Sequence, residues 1–199
     1  MLPFPQSRRQ FGKLLATGQI TSYGSGTGVD DGALRKGIVK SYTILTLGQY
    51  SGTTNVTINS KTDAHSNNCV FDNNTGLMWS RTASASVGPA SDGKLPWTTT
   101  GAGATAEGIF PYCAAANAAG LAGYSDWRIP NISEIESITL REAGVTAPDT
   151  TAFPSYPLVA MWSSTTEKQA TANAVTFTFG NRESGLVKAI ACACILVRG

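Results

Sequence analysis

Sulfur and aromatic rings are the groups in this sequence best suited to chemistry. Cys192-Ala193-Cys194 sets two thiols two residues apart near the end of the chain, with Cys113 and Cys69 far upstream. On a strand such a pair points to one face about 7 Å apart, too far for an easy mutual disulfide. It is no zinc knuckle either, because structural zinc sites use two closely spaced ligand pairs, and the only histidine, His65, lies in a Ser/Asn-rich turn. Small buried residues are the favoured reading of these cysteines, since free Cys is among the most buried types. The isolation of His65 also removes any Ser/His/Asp or Cys/His constellation, and the acidic residues are too scattered for a calcium loop. The expectation is therefore no catalytic residue, no metal and no cofactor. Stacking remains: Trp97, Tyr156 and Trp162 stand near polar loops, where a ring face could lie against a sugar, with packing as the competing role.

Composition narrows the partners. At 199 residues and 42% hydrophobic content the chain can bury a proper core, while only 14% of residues are charged and the formal net charge is +2. No basic cluster is longer than Arg8-Arg9, so a nucleic-acid footprint is not expected. Gly, Ser, Thr, Ala and Asn take the place of charges, a surface common in extracellular and virion proteins. The longest apolar run, Ala189 to Val197, is about half of the roughly 18 residues that a membrane span needs. Ser7-Arg8-Arg9-Gln10-Phe11-Gly12-Lys13 is like a twin-arginine export signal, but only Leu14-Leu15-Ala16 follows it, too short for a signal core.

The element best placed to organise the rest is Gly123 to Asn131. Tyr124, Trp127 and Ile129 are large apolar bodies with Asp126 and Arg128 between them, and Pro130 keeps Ile129 extended. Asn131 with Glu134 three residues on is an Asn version of the capping box, and Ile132, Ile135 and Ile138 follow at helical spacing. Trp127 and Arg128 are read here as scaffold, as are Trp79, Tyr124, Asp126, Asn131, Cys113 and Cys194. The turn joins two predicted helices: 106–119, with Pro111 near its first turn and Gly120 closing it, and 132–143, with Gly144 as stop signal. Strands are expected over 39–47 and 50–58, in a hairpin of 69–71 and 77–79 around Asn/Gly turn chemistry, and over 158–162, 175–179 and 186–197. Residues 80–104 and 163–171 read as loops. Strands, two helices, then strands again make an α+β domain with short, mostly antiparallel sheets and long loops. Residues 1–16 form an extended arm and 17–199 the domain.

Several pieces agree, in order, with one family. Thr17-Gly18-Gln19 with Ser22-Tyr23 and Asp30-Asp31-Gly32, the run Phe71 to Trp79, Tyr112-Cys113, Gly123 to Asn131, Glu134, Trp162 to Thr166, Phe177 with Gly180 and the closing Val197-Arg198-Gly199 all match it. The chain closely resembles the family named after the C-terminal domain of the Legionella collagen-like adhesin, from about Leu14 to the end. The resemblance implies a fold similar to C-type lectins and formylglycine-generating enzymes, and a role like the carbohydrate- or receptor-binding modules of bacterial surface proteins and phage virions. It also implies that Cys113 lies near the last strand, within reach of Cys192 or Cys194. A less favoured alternative is an oxidase of the formylglycine-generating type, with Cys192 and Cys194 as a copper thiolate pair.

These readings combine into an expected function. The chain is a non-enzymatic recognition or structural protein, a phage virion component that binds a host-surface glycan or protein receptor; a bacterial surface or secreted adhesin domain is the alternative. Phe4, Phe11, Leu14 and Leu15 of the arm are the expected anchors on virion neighbours. A symmetric homo-oligomer such as a trimer is expected, because virion appendages repeat around axes.

Overall fold

The computed structural model describes residues 14–23, 30–35, 37–45, 56–58, 61–63, 69–80, 94–97, 108–142, 145–153, 160–178 and 181–199. The first part supplies helix α1 (Asp31–Leu34) and strands β1 (Tyr42–Leu45), β2 (Val56–Ile58) and β3 (Lys61–Asp63). A hairpin of β4 (Cys69–Asp72) and β5 (Met78–Ser80) follows, then the two-residue strand β6 (Leu95–Pro96). Helix α2 (Ile109–Ala118), a 3-10 turn (Leu121–Gly123) and helix α3 (Ile132–Ile138) make the middle. The chain closes with β7 (Thr139–Glu142), β8 (Val145–Pro148), β9 (Met161–Thr166), β10 (Asn173–Thr178), β11 (Asn181–Val187), β12 (Ala191–Cys192) and β13 (Val197–Arg198). This is the expected α+β class, with several short antiparallel sheets and a helix beyond the two expected, the four-residue α1.

One sheet has the order β1-β4-β5-β13, so the last strand closes beside the β4–β5 hairpin, and a second has the order β11-β10-β9. Pairs β12–β6, β2–β3 and β7–β8 complete the set. The hairpin turn is held by Asp72, whose carboxylate accepts the Asn74 N–H at 2.9 Å, while Gly76 adopts a φ of 78° that an L side chain rarely takes.

The closing segment 192–197 threads the core. Cys192, Cys194 and Leu196 belong to one buried cluster with Ile109, Tyr112, Trp127 and Trp162; Ala193, Ile195 and Val197 belong to another with Trp79, Phe153 and the α3 isoleucines. An extended backbone sends alternate side chains to opposite faces, so six consecutive apolar residues fill two clusters at once. Backbone bonds tie the segment on both sides: Val197 exchanges bonds with Arg128 at 2.8 and 2.9 Å, and the Ala193 carbonyl accepts the Trp162 N–H at 2.9 Å.

Several element boundaries differ from the expectation: β1 begins at Tyr42, Leu95–Pro96 pairs with β12 inside a segment expected as loop, and α2 begins at Ile109. Helix α3 ends at Ile138, not near Ala143, because Thr139 turns extended (φ −85°, ψ 131°) and residues 139–142 pair with β8. The Thr139 hydroxyl donates to the Ile135 carbonyl at 3.0 Å and the Lys40 ammonium donates to the Ser137 carbonyl, which serves the helix end without a glycine cap. Ser163 to Thr166, expected in a loop, continue β9 because β10 pairs with them, and the Ser163 hydroxyl donates to the Val175 carbonyl at 2.6 Å. The single last strand expected over 186–197 is broken by a turn at 188–190 into β11 and β12, with irregular chain from Cys194 to Leu196 before β13.

Candidate recognition site

The turn from Gly123 to Asn131 behaves as scaffold. Trp127 is buried in the first cluster and packs with α2, not with α3: its N–H donates to the Asn117 side-chain oxygen at 2.7 Å, its carbonyl accepts from the Asn117 amide at 2.8 Å, and its indole N–H donates to the Leu121 carbonyl at 2.9 Å. Arg128 points to the other side, where both terminal nitrogens donate to the Glu134 carboxylate at 2.8 and 2.7 Å. Glu134 in turn accepts the Asn131 N–H at 2.8 Å, and Asn131 accepts the Glu134 N–H at 3.0 Å, the capping box expected from sequence. Tyr124 and Asp126 hold the chain end: the Arg198 guanidinium lies 3.7 Å from the Tyr124 ring centroid and donates to both Asp126 oxygens, at 2.5 and 3.0 Å. That pairing holds the Asp126 carboxyl below its ordinary pKa.

The three stacking candidates separate. Trp162 is fully buried at 0% exposure and donates its indole N–H to the Leu95 carbonyl at 2.8 Å, so it is a core residue and offers no face to a ligand. It sits on β9 opposite Thr176, inside the sheet. Tyr156 lies outside the described residues. Trp79, expected as scaffold, is likewise wholly buried.

Trp97 is partly exposed, and Phe110 and Lys188, which were not expected from sequence, join it. It follows β6, with its N–H donating to the Lys188 carbonyl at 2.9 Å and its indole N–H to the Ser163 carbonyl at 2.8 Å, which fixes the ring plane. Phe110 meets it edge to face, centroids 4.7 Å apart at 89°, and is 43% exposed. The Lys188 ammonium sits 4.2 Å from the Trp97 ring centroid and also donates to the Thr171 carbonyl at 2.6 Å. The turn carrying Lys188 leaves Val187 and Ile190 exposed as well. Two aromatic rings, a cation and aliphatic side chains on a fixed frame can stack on the apolar face of a sugar or on an apolar side chain, while the ammonium meets an acceptor. Phe110 had a signal in the sequence: the buried face of α2 is Ile109, Tyr112, Cys113 and Ala116, so an aromatic beside Ile109 stands off that face. Lys188 had none.

All four cysteines are free and buried. Cys113, Cys192 and Cys194 share one cluster, which places Cys113 beside the closing segment, and its thiol donates to the Trp127 carbonyl at 3.1 Å. Burial pushes the Cys69 thiol up to about 12 and the Cys113 thiol up to about 11. Among the described residues no three His, Cys, Asp or Glu side chains gather in a way that could hold a metal ion, and no helix is long and apolar enough to cross a membrane. Of the arm anchors, Phe4 and Phe11 lie outside the described residues; Leu14 is 86% exposed, and Leu15 bridges in parallel to Ile38.

The fold is a loop-rich α+β domain whose central turn is anchored by Trp127 and by the Arg128–Glu134 pair. Residues 68–198, well over half of the chain, match the model of the Lcl C-terminal domain, and the chain belongs to that family, which suggests an adhesin-like or recognition role. Comparison with curated proteins and with solved structures returns no significant match.

Proposed function

We propose that the chain is a non-enzymatic recognition module of a phage virion, with a C-type-lectin-like arrangement, that meets a host-surface glycan or protein receptor through the Trp97, Phe110 and Lys188 surface. The observation that carries this reading is the Lys188 ammonium over the Trp97 ring beside a solvent-facing Phe110. Exposed aromatics held at a fixed angle cost little entropy when a partner stacks on them. Family membership supports recognition as the role. Thiols held protonated by burial are poor nucleophiles and poor metal ligands near neutral pH, which favours binding over thiol chemistry.

In this reading the arm, with Phe4, Phe11, Leu14 and Leu15, docks on virion neighbours, and the assembled appendage is a homo-oligomer such as a trimer. Exposure of Leu14 at the domain edge supports a docking role for that end. A bacterial surface adhesin is the second reading, favoured by the adhesin domain that gives the family its name. A glycan array probed with the full chain tests the recognition step: binding retained by Trp97→Ala and Phe110→Ala would remove the surface from consideration. Deleting residues 1–16 tests the location, with a folded domain that no longer enters particles as the expected result. Normal assembly of the truncated chain points instead to the adhesin.

A further inference from the structure

Described residues of the lead-in between 14 and 40 line, with Leu140 of β7 and Asp149, a cavity of about 430 Å³ that shares no lining residue with the Trp97 surface. Most of its lining precedes residue 68, where the family match begins, so this is a feature the lead-in adds to the domain. The lead-in is fixed there by the Arg141 N–H, which donates to the Thr17 carbonyl at 2.9 Å, and by the Lys40 contact with the end of α3. Ala16, Ile20, Val39 and Leu140 give the cavity apolar walls, Ile20 and Val39 being solvent-exposed. Its size and mix of apolar wall with a few charged groups are those of a small-molecule site.

The charged groups in the lining are not equivalent. Each acid is engaged through one oxygen: one oxygen of Asp31 accepts the Thr17 hydroxyl, and one oxygen of Asp149 accepts the N–H groups of Thr151 and Ala152 at 2.8 and 3.0 Å. The two bases are bonded only to neutral carbonyls, Lys40 to Ser137 and Arg35 to Ile20 at 3.1 Å and Gly32 at 3.4 Å. Neither forms an ion pair within the described residues, and both keep unused donors. Burial weighs on the Lys40 ammonium more than the Asp72 carboxylate relieves it, so its charge is short of an anionic neighbour. Arg35 caps α1 in the left-handed region at φ 46° and ψ 44°, uncommon for a residue with a side chain.

We infer that this cavity binds a small organic carboxylate, its apolar body against Ile20, Val39 and Leu140 and its carboxylate on Lys40 and Arg35. An inorganic anion would leave the apolar walls unused, and a cation would meet only the second oxygens of Asp31 and Asp149, the first of each being taken within the chain. Titration of the full chain with benzoate, benzamide and benzylammonium, followed by backbone amide NMR shifts, tests this. Expected are saturable shifts at Ile20, Val39 and Leu140 with benzoate, and affinity lower by about tenfold or more for the uncharged benzamide. Lys40→Met brings benzoate down to the benzamide level, and Lys40→Arg restores most of the difference. Equal affinity for benzoate and benzamide, tighter binding of benzylammonium, or the absence of saturable benzoate shifts at these residues overturns the inference. If Lys40→Met fails to fold, the comparison of the three probes on the unaltered chain still decides.

Discussion

Glu134 grips both terminal nitrogens of Arg128 while one of its carboxylate oxygens accepts the N–H of Asn131. A single side chain therefore completes the α3 cap and fixes the residue whose backbone pairs with Val197 in the closing strand. Glu134→Ala is expected to lower stability by about 1–2 kcal/mol, a modest figure because Arg128 is partly exposed and its charge is screened. Burial alone would raise the Glu134 pKa, but the hydrogen bonds from Arg128 and Asn131 outweigh it and hold it below the ordinary 4.5. A depressed folded pKa means that this stabilisation is complete above the unfolded value and is lost as pH falls through the folded one. Melting curves from pH 7 down to pH 3 check it: the unaltered chain loses more of its midpoint than Glu134→Gln does, and parallel curves would dismiss the coupling.

Trp127 and Trp162 are core anchors, and truncation to Ala is expected to cost about 3–5 kcal/mol each. Asn117 offers a finer test, because its side chain satisfies both the N–H and the carbonyl of Trp127 across the inter-helix turn. Asn117→Ala leaves the Trp127 N–H without its partner and the Trp127 carbonyl with the Cys113 thiol alone, and is expected to cost about 1–3 kcal/mol with no change in buried aromatic area. Chemical denaturation with an unchanged slope and a lowered midpoint is the expected signature; an unmoved midpoint means water replaces the amide fully.

Local chemistry was the legible part of this fold. The 71–79 hairpin and the Asn131 cap could be read because Asn, Asp and Gly act on backbone groups within a few residues. The end of α3 could not, because Gly144 looked like a stop signal while pairing of 139–142 with β8, a longer-range effect, had already taken the chain out of the helix. Polar Ser163 to Thr166 read as loop since nothing local shows that Ser163 would find the Val175 carbonyl on β10. Alternation of Cys192 and Cys194 to one side did hold, although their neighbours are buried too, because both sides of that segment are core. In the surface site Trp97 was legible and Phe110 was signalled by its place off the buried face of α2, while Lys188 reaches the site from a turn far away in sequence.

The thiols give a direct chemical test of how closed the core is. With Cys69 pushed up to about 12 and Cys113 up to about 11 by burial, almost no thiolate is present at pH 8. Intact mass after iodoacetamide treatment of the reduced native chain is expected to show no adduct, and four adducts once denaturant opens the core. Rapid native modification of even one cysteine would show that the clusters open far more often than their packing implies.

The lead-in is attached through Glu142, which offers a pH test of its own. One carboxylate oxygen accepts the Ile20 N–H at 2.6 Å and the Thr21 N–H at 3.4 Å, and the other accepts the Tyr23 hydroxyl at 2.7 Å. These donors, the Ile20 N–H foremost, lower the Glu142 pKa from 4.5 to about 2. Because the folded value is the depressed one, the attachment is at full strength above pH 4.5 and fades as pH falls toward 2. Hydrogen exchange at Ile20 and Thr21 is expected to speed up relative to the α3 amides across that window. Glu142→Gln, which keeps an acceptor oxygen but removes the charge, is expected to give faster exchange at these two amides already at pH 7 while the domain stays folded. Unchanged protection in Glu142→Gln would mean that the Arg141 bond and the Lys40 contact hold the lead-in without help from the Glu142 charge.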